Sequence, residues 1–243
     1  GKYFEIDVKE DDPKAAKEMI SNLQFLLPMD NGHFIFKKPI LTYWAQILSM
    51  EIFGINEFAA RLPSVIAGSL TVTAAFLFGR FFKMGFFSAT SLATSLEFFI
   101  IARLSITDML LNFFIISSIA LYFLISEGLI HKNYFFILAL LVSFGFLTKG
   151  PLALFLPGLV IFVYSLMKAY FKQRSLKEKI SKIKANPGLI FKGFLIFLVF
   201  GTSWYLVAHI ITGGEFTKQF FLTENLQRYA STLSGHKHSW WFY

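Results

Sequence analysis

Apolar positions along this chain come in long unbroken blocks, not at the spacing of a soluble amphipathic helix or strand. The blocks at 62–82, 85–103, 109–126, 133–148, 151–171 and 190–212 each predict a membrane-spanning helix. Another apolar stretch, 40–55, is short for a span and is interrupted by Thr42, Tyr43, Trp44, Gln46 and Glu51. Its Trp and Tyr suit an interface, so it predicts a helix lying on the membrane. Between the last two spans lies KQRSLKEKISKIKANPG (172–188), a dense basic loop. Residues 1–39 are polar and acid-rich. There Asp11 or Asp12 as N-cap and Pro13 as first helical residue predict a short helix through Met19, and Asp30-Asn31-Gly32 predicts a turn.

Composition narrows the class. Hydrophobic residues fill 55% of the 243 positions and charged residues 16%, against roughly 25% charged in soluble domains. A soluble globule of this size would lack the polar surface to cover itself, so the pattern describes a membrane protein. The net charge of +8 could point to nucleic acid. In a chain of apolar spans it reads instead as loops facing anionic lipid, and no nucleic-acid partner is expected. The lack of cysteine excludes disulfides, zinc–thiolate centres and thiol nucleophiles. No cleavable signal peptide is evident. A start at Gly1 without Met and a stop at Tyr243 inside an aromatic run predict a piece of a longer protein.

The basic residues orient the spans. With 172–188 inside, Arg80, Lys83, Lys132, Lys168 and Lys192 join its cations on the cytoplasmic side, against Glu127 and Glu178; short inner loops carry this bias. The outer side then holds 1–61, 103–108, 148–151 and 213–243. Nearly every polar group able to do chemistry falls in those segments. The expected fold is an all-α polytopic transmembrane helical bundle. It has an outer loop with amphipathic interfacial helices (1–61), a multi-span region (62–212) and a second outer loop leading to a further span (213–243).

Each candidate residue has a plain structural reading beside the chemical one. Asp11 and Asp12 cap a helix, or supply a carboxylate that accepts a proton from an acceptor hydroxyl. Lys37-Lys38-Pro39 anchors an interface by snorkelling or clamps a phosphate. Glu97, Arg103 and Asp108 lie near one outer boundary, where Arg103 and Asp108 either tie two spans together or join a site. Lys149, in Thr148-Lys149-Gly150-Pro151, interrupts an apolar stretch from Tyr134 to Tyr164. A lone lysine between spans needs a counter-ion or a lipid phosphate, and Gly150-Pro151 lets the backbone turn. In the tail, Glu215, Glu224, Arg228, His236 and His238 precede Trp240-Trp241, which suits an interfacial belt. His-x-His with no third ligand in sequence is a weak metal signal.

KKPILTYW followed by FGINEFAARLPSVIAGSLTVTAAFLFGRFF resembles the GT-C superfamily of polytopic glycosyltransferases. The branch it is most similar to contains the dolichyl-phosphate-mannose protein mannosyltransferases and aminoarabinose transferases. ARLSITDMLLNFF, LTKGPLALFLPG, WYLVAHIITGGEF and FFLTENLQRY match that group in order, so the resemblance covers nearly the whole chain. It implies a multi-pass protein of the inner (plasma) membrane with no cofactor. Such a protein moves a sugar from a polyprenyl-phosphate donor to a hydroxyl or phosphate of lipid A, a protein or an envelope glycan. By the same resemblance, the family's first-loop base falls on Asp11 in EDDPKAAKEM, with Asp12 and Asp7 as alternatives. Its supporting carboxylate falls on Asp108 and its phosphate contacts on Lys38 and Lys149; Arg103, at the same boundary, joins the substrate-binding set.

The chain departs from the group at three places. Lys37 stands where many relatives have Glu, Ile40 where they have a second proline, and Asn225 where the aminoarabinose transferases have His. Some members bind a metal through that Glu and His, so none is expected here. The resemblance also places the family's first span before Gly1, and its later spans and distal domain after Tyr243. Two other classes stay open, a transporter or channel subunit and a non-catalytic scaffold of the same fold. A transporter would place charges near the midplane on broken helices; here they gather at one boundary, which favours transfer chemistry.

Overall fold

The computed structural model describes residues 11–171 and 187–227. Asp7, the basic loop 172–186 and the tail from Arg228, with His236, His238, Trp240 and Trp241, lie outside the described residues. So do the side chains of Asp11, Glu224 and Asn225. Helix α1 (Asp11–Ser21) begins at the two aspartates and Pro13. Ala15, Ala16 and Met19 are fully buried and Asp12 nearly so. Their three- and four-residue spacing puts them on one face, and the small alanines let that face pack closely on α2 (Leu41–Phe53).

The Asp30-Asn31-Gly32 turn joins two short antiparallel strands, β1 (Met29–Asp30) and β2 (His33–Phe34). Asn31 and Gly32 both take positive φ, 54° and 79°, as a type I′ hairpin turn requires. Their N–H groups donate to the Glu18 carboxylate at 2.8 and 2.7 Å, which pins the hairpin to α1. Two indoles hold the loop before it. Trp44 Nε1 donates to the Phe25 carbonyl and Trp204 Nε1 to the Leu26 carbonyl, each at 2.7 Å.

The stretch 40–55, expected to lie on the membrane, forms α2, one face of which packs against α1, α3 (Glu57–Arg80) and α7 (Phe135–Lys149). Thr42, Tyr43, Gln46, Ile47, Ser49 and Met50 are buried, and Leu48, Ile52 and Phe53 form an exposed apolar stripe. Gly54, with φ 81°, ends the helix. Asn56 then caps α3 by accepting the Ala59 N–H at 2.8 Å, so α3 starts ahead of the apolar block that announces it.

Among the described residues, four helices are long and apolar enough to cross a membrane: α3, α6 (Thr107–Ser126), Lys132–Lys149 and Gly188–Ile211. The third is α7 with a 3₁₀ turn (Lys132–Tyr134) in front. The fourth joins α9 (Pro187–Ile196), a π-helical turn (Phe197–Thr202) and α10 (Ser203–Ile211). Their central windows are only 28, 28, 39 and 22% buried inside the protein. The remaining apolar surface faces outward, as suits helices whose solvent is lipid and whose backbone bonds close within each segment. This is an all-α polytopic helical membrane protein.

Helix α8 (Leu152–Phe171) is apolar and runs 20 residues. One region differs from a straight span. The block 85–103 is broken into α4 (Gly85–Ala93) and α5 (Leu96–Arg103), bent by 65°. The break falls at Thr94-Ser95, where Ser95 is extended and the Thr94 hydroxyl donates to the Thr90 carbonyl at 2.8 Å. Hydroxyls compete for backbone partners, and Ser88, Thr90, Ser91, Thr94 and Ser95 crowd this segment. Helices α6 and α7 pack as an antiparallel pair, so the first turn of α6 and the last turn of α7 share one end of the bundle.

Candidate functional site

At that end α1, the lead into α2 and the termini of α6 and α7 meet. Asp12, in the first turn of α1, is 2% exposed. Lys38 Nζ donates to both of its carboxylate oxygens, at 2.8 and 2.6 Å. Thr107 Oγ1, from the first residue of α6, donates to Oδ2 at 3.2 Å. A buried carboxylate is costly unless it is paired and hydrogen-bonded, and Asp12 is both. The ammonium that meets it comes from the segment just ahead of α2, where Pro39 and Ile40 are buried.

The residue after Thr107 is Asp108, and it pairs with Lys149 Nζ. Consecutive residues of α6 thus contact the two acid–lysine pairs, Thr107 at Asp12 and Asp108 at Lys149. Asp108 occupies the first turn of α6 and Lys149 the last of α7, the helix ends that favour an acid and a cation respectively. With side chains 43 and 37% exposed, this second pair is open to a ligand in a way that Asp12 is not.

The turn that carries Lys149 depends on Gly150. Its φ is +68°, and a Cβ there would meet the Phe220 ring at 2.8 Å, so glycine is required both for conformation and for space. The Gly150 N–H and the Tyr205 hydroxyl both donate to the Phe146 carbonyl, at 2.8 and 2.7 Å. Behind them Trp204, Tyr205, Phe216, Phe220 and Phe221 pack ring against ring, with centroids 5.0 to 5.9 Å apart. Phe36 meets Phe216 edge-on at 5.6 Å and lies two residues before Lys38. One aromatic block therefore backs both lysines.

The structure thus brings Lys38, Asp108 and Lys149 together with Asp12. Of the alternatives Asp7, Asp11 and Asp12, Asp12 is the one whose side chain is described, and it lies in the site. Arg103 ends α5 at the same end and is exposed, its guanidinium 4.8 Å from the Phe99 ring centroid. The partner that Asp108 takes is Lys149, a span away, and not its neighbour Arg103. Glu97 is exposed in the first turn of α5, at the opposite end of that helix from Arg103. Glu215 starts the short α11 (Glu215–Thr217).

Sequence reasoning missed Thr107, the aromatic block and a buried polar contact in which Gln46 Nε2 donates to Ser105 Oγ at 3.0 Å. A signal for Thr107 existed, since a hydroxyl opening a helix beside a candidate acid is placed to contact an anion. Among the described residues no group of three or more His, Asp or Glu side chains is placed to hold a metal ion. Chemically, the site offers two ammonium groups for an anionic headgroup, one enclosed carboxylate and one accessible carboxylate at the edge of an apolar bundle.

A family model described as dolichyl-phosphate-mannose-protein mannosyltransferase matches residues 37–198, a stretch that includes Lys38, Asp108 and Lys149. A protein of Aquifex aeolicus is 31% identical over 219 residues, which is 88% of this chain and 41% of that one. The undecaprenyl phosphate-alpha-4-amino-4-deoxy-L-arabinose arabinosyl transferase of Pseudomonas paraeruginosa is 32% identical over 239 residues, 95% of this chain and 41% of that one. The crystal structure of ArnT from Cupriavidus metallidurans bound to undecaprenyl phosphate has the same fold. It matches with a TM-score of 0.74 at 23% identity, over 90% of this chain and 40% of that one. The chain spans about two-fifths of the length of these relatives.

Proposed function

This chain belongs to the dolichyl-phosphate-mannose-protein mannosyltransferase family, and on that premise we propose that the whole protein is an inverting glycosyltransferase. It moves a sugar from a polyprenyl-phosphate donor to a hydroxyl or phosphate acceptor on the outer face of the inner membrane. The observation that carries this reading is the pair of adjacent acid–lysine contacts, Asp12–Lys38 and Asp108–Lys149, at one end of a membrane bundle. The excess of cations in 172–188 supports a cytoplasmic place for the other side.

In this mechanism the donor phosphate lies at the membrane surface and its tail between helices. Lys149 and Lys38 contact the phosphate, and Arg103 adds charge from the end of α5. The acceptor oxygen attacks the anomeric carbon from the face opposite the phosphate. As that bond forms, the bond from carbon to phosphate oxygen breaks and its electron pair goes to the phosphate. The lysines stabilise the added negative charge. Lys38 turning to the phosphate releases Asp12 to take the proton of an acceptor hydroxyl. Asp108 keeps Lys149 in reach of the headgroup. The named relatives make undecaprenyl phosphate carrying an aminoarabinose the first donor to try; lipid A, one of the acceptors the sequence resemblance implies, is the first acceptor to try.

The test is transfer by the full-length protein in lipid vesicles, followed as released undecaprenyl phosphate and labelled acceptor. Transfer that disappears in Lys38→Ala and Lys149→Ala supports the reading. A wild-type protein that releases no polyprenyl phosphate with lipid A, protein or glycan acceptors overturns it.

A further inference from the structure

Three hydrogen bonds hold the short segment 104–106, which enters α6 and so delivers Thr107 and Asp108 to the site. Gln46 Nε2 donates to Ser105 Oγ at 3.0 Å, Ser105 Oγ donates to the Ala60 carbonyl at 2.5 Å, and Ser64 Oγ donates to the Ile106 carbonyl at 3.2 Å. Gln46 and Ser105 are each 1% exposed. Gln46 belongs to α2, the helix into which Lys38 leads. Ser105 lies two residues before Thr107, the donor to Asp12, and three before Asp108, the partner of Lys149. The contact is therefore a polar link between the element bearing Lys38 and the element bearing Asp108.

The rest of this polar face is poorly satisfied. Gln46 Oε1, Thr42 Oγ1 and Ser49 Oγ are buried without a hydrogen-bond partner among the described residues. A buried amide that leaves its acceptor unmet contributes little net stability. What it does supply is a directional bond of fixed length between α2 and the start of α6. We infer that Gln46 and Ser105 are positioning residues that fix the Asp12–Lys38 pair relative to the Asp108–Lys149 pair; this rests on the transferase reading above. Neither residue touches substrate. Each sets the distance between groups that do.

The test uses the full-length protein, with kinetics and thermal melting measured together. Gln46→Leu keeps the volume and removes both the crossing bond and the unmet acceptor. It is expected to lower kcat by about 10- to 100-fold, as misplacement of reacting groups does. Donor KM should stay within about twofold, because the lysines remain, and the melting temperature should not fall. Ser105→Ala should reproduce the loss of kcat, and Ser105→Thr, which keeps the hydroxyl, should recover it. Wild-type kinetics in Gln46→Leu and Ser105→Ala overturns the inference. So does a lowered melting temperature with unchanged kinetics, a failure of Ser105→Thr to recover kcat, or loss of folded protein in both variants. A wild-type protein with no transfer activity overturns the transferase reading and this inference with it.

Discussion

Helix α6 carries an acid paired to a lysine at each of its ends, and the two pairs are built differently. At the far end Glu127 is the C-cap residue, where the helix dipole disfavours an acid. Lys168 and the Tyr164 hydroxyl, both from α8, converge on its carboxylate, and Lys168 also reaches the Ser126 carbonyl at 3.4 Å. One helix supplies these partners, so the contact ties α6 to α8. At the near end the dipole favours Asp108, and Lys149 comes from a glycine turn pressed against aromatic rings. A second, buried pair from α1 and the lead into α2 stands alongside. Pairing an acid with a lysine does not make a site; the meeting of separate chain segments around an accessible cation does.

The largest expected effect breaks the near end directly. Asp12→Asn in the full-length protein should cut turnover by about 10²–10⁴-fold while donor affinity stays close to normal. Asp11→Asn, measured in the same assay, should keep most activity; the reverse result moves the base by one residue. Next comes Lys149→Ala, which should weaken donor binding by roughly 10- to 100-fold, the range of a charge-assisted hydrogen bond, and slow transfer as well. Lys149→Arg should keep part of both, since the two cations differ in geometry and hydration. Unchanged donor affinity with a lowered melting temperature would reduce Lys149 to an anchor.

Gly150→Ala tests the turn and not the charge. The left-handed φ and the Phe220 ring together should cost about 1–3 kcal/mol of stability, read as a lower melting temperature in detergent. Glu127→Gln at the far end should leave kcat and donor affinity unchanged, with a stability loss of about 1 kcal/mol, since the amide still accepts hydrogen bonds at this partly exposed pair. Equal kinetic losses from Glu127→Gln and Lys149→Ala would erase the distinction between the two ends. The smallest effect is expected from chelation: with Lys37 and Asn225 at the departing positions, transfer should persist, and activity lost to a chelator and restored by zinc or manganese would contradict that.

Much of this was legible in the chain. Lys149 stood out because nothing else near it is charged, and Gly150 because a lysine followed by Gly-Pro marks a turn. Asp30-Asn31-Gly32 announced a turn, and the positive φ of Asn31 and Gly32 makes it the tip of a hairpin. The bend at Thr94-Ser95 was hidden because Phe86, Phe87, Leu92 and Leu96 keep the average apolar while hydroxyls break the helix between them. Asp11 and Asp12 could not be told apart by spacing, since adjacent residues on a helix differ by about 100° of rotation and only packing decides which one turns inward. Gln46 looked like an interruption of an apolar helix because its partner, Ser105, belongs to a segment far along the chain. The π-helical turn at Phe197–Thr202 has no counterpart in the apolar pattern at all.

The two indole bonds to the loop after α1 also impose an order of assembly. Trp44 lies 19 residues from the Phe25 carbonyl it holds, and Trp204 lies 178 residues from Leu26. At synthesis rates of about 5–20 residues per second, the first tie can form within roughly 1–4 seconds and the second only after some 9–36 seconds. Through that interval Phe25 and Leu26 have one of their two indole bonds and wait for the other. The neighbourhood of the buried carboxylate is therefore among the first parts of the described chain to be made and among the last to be closed.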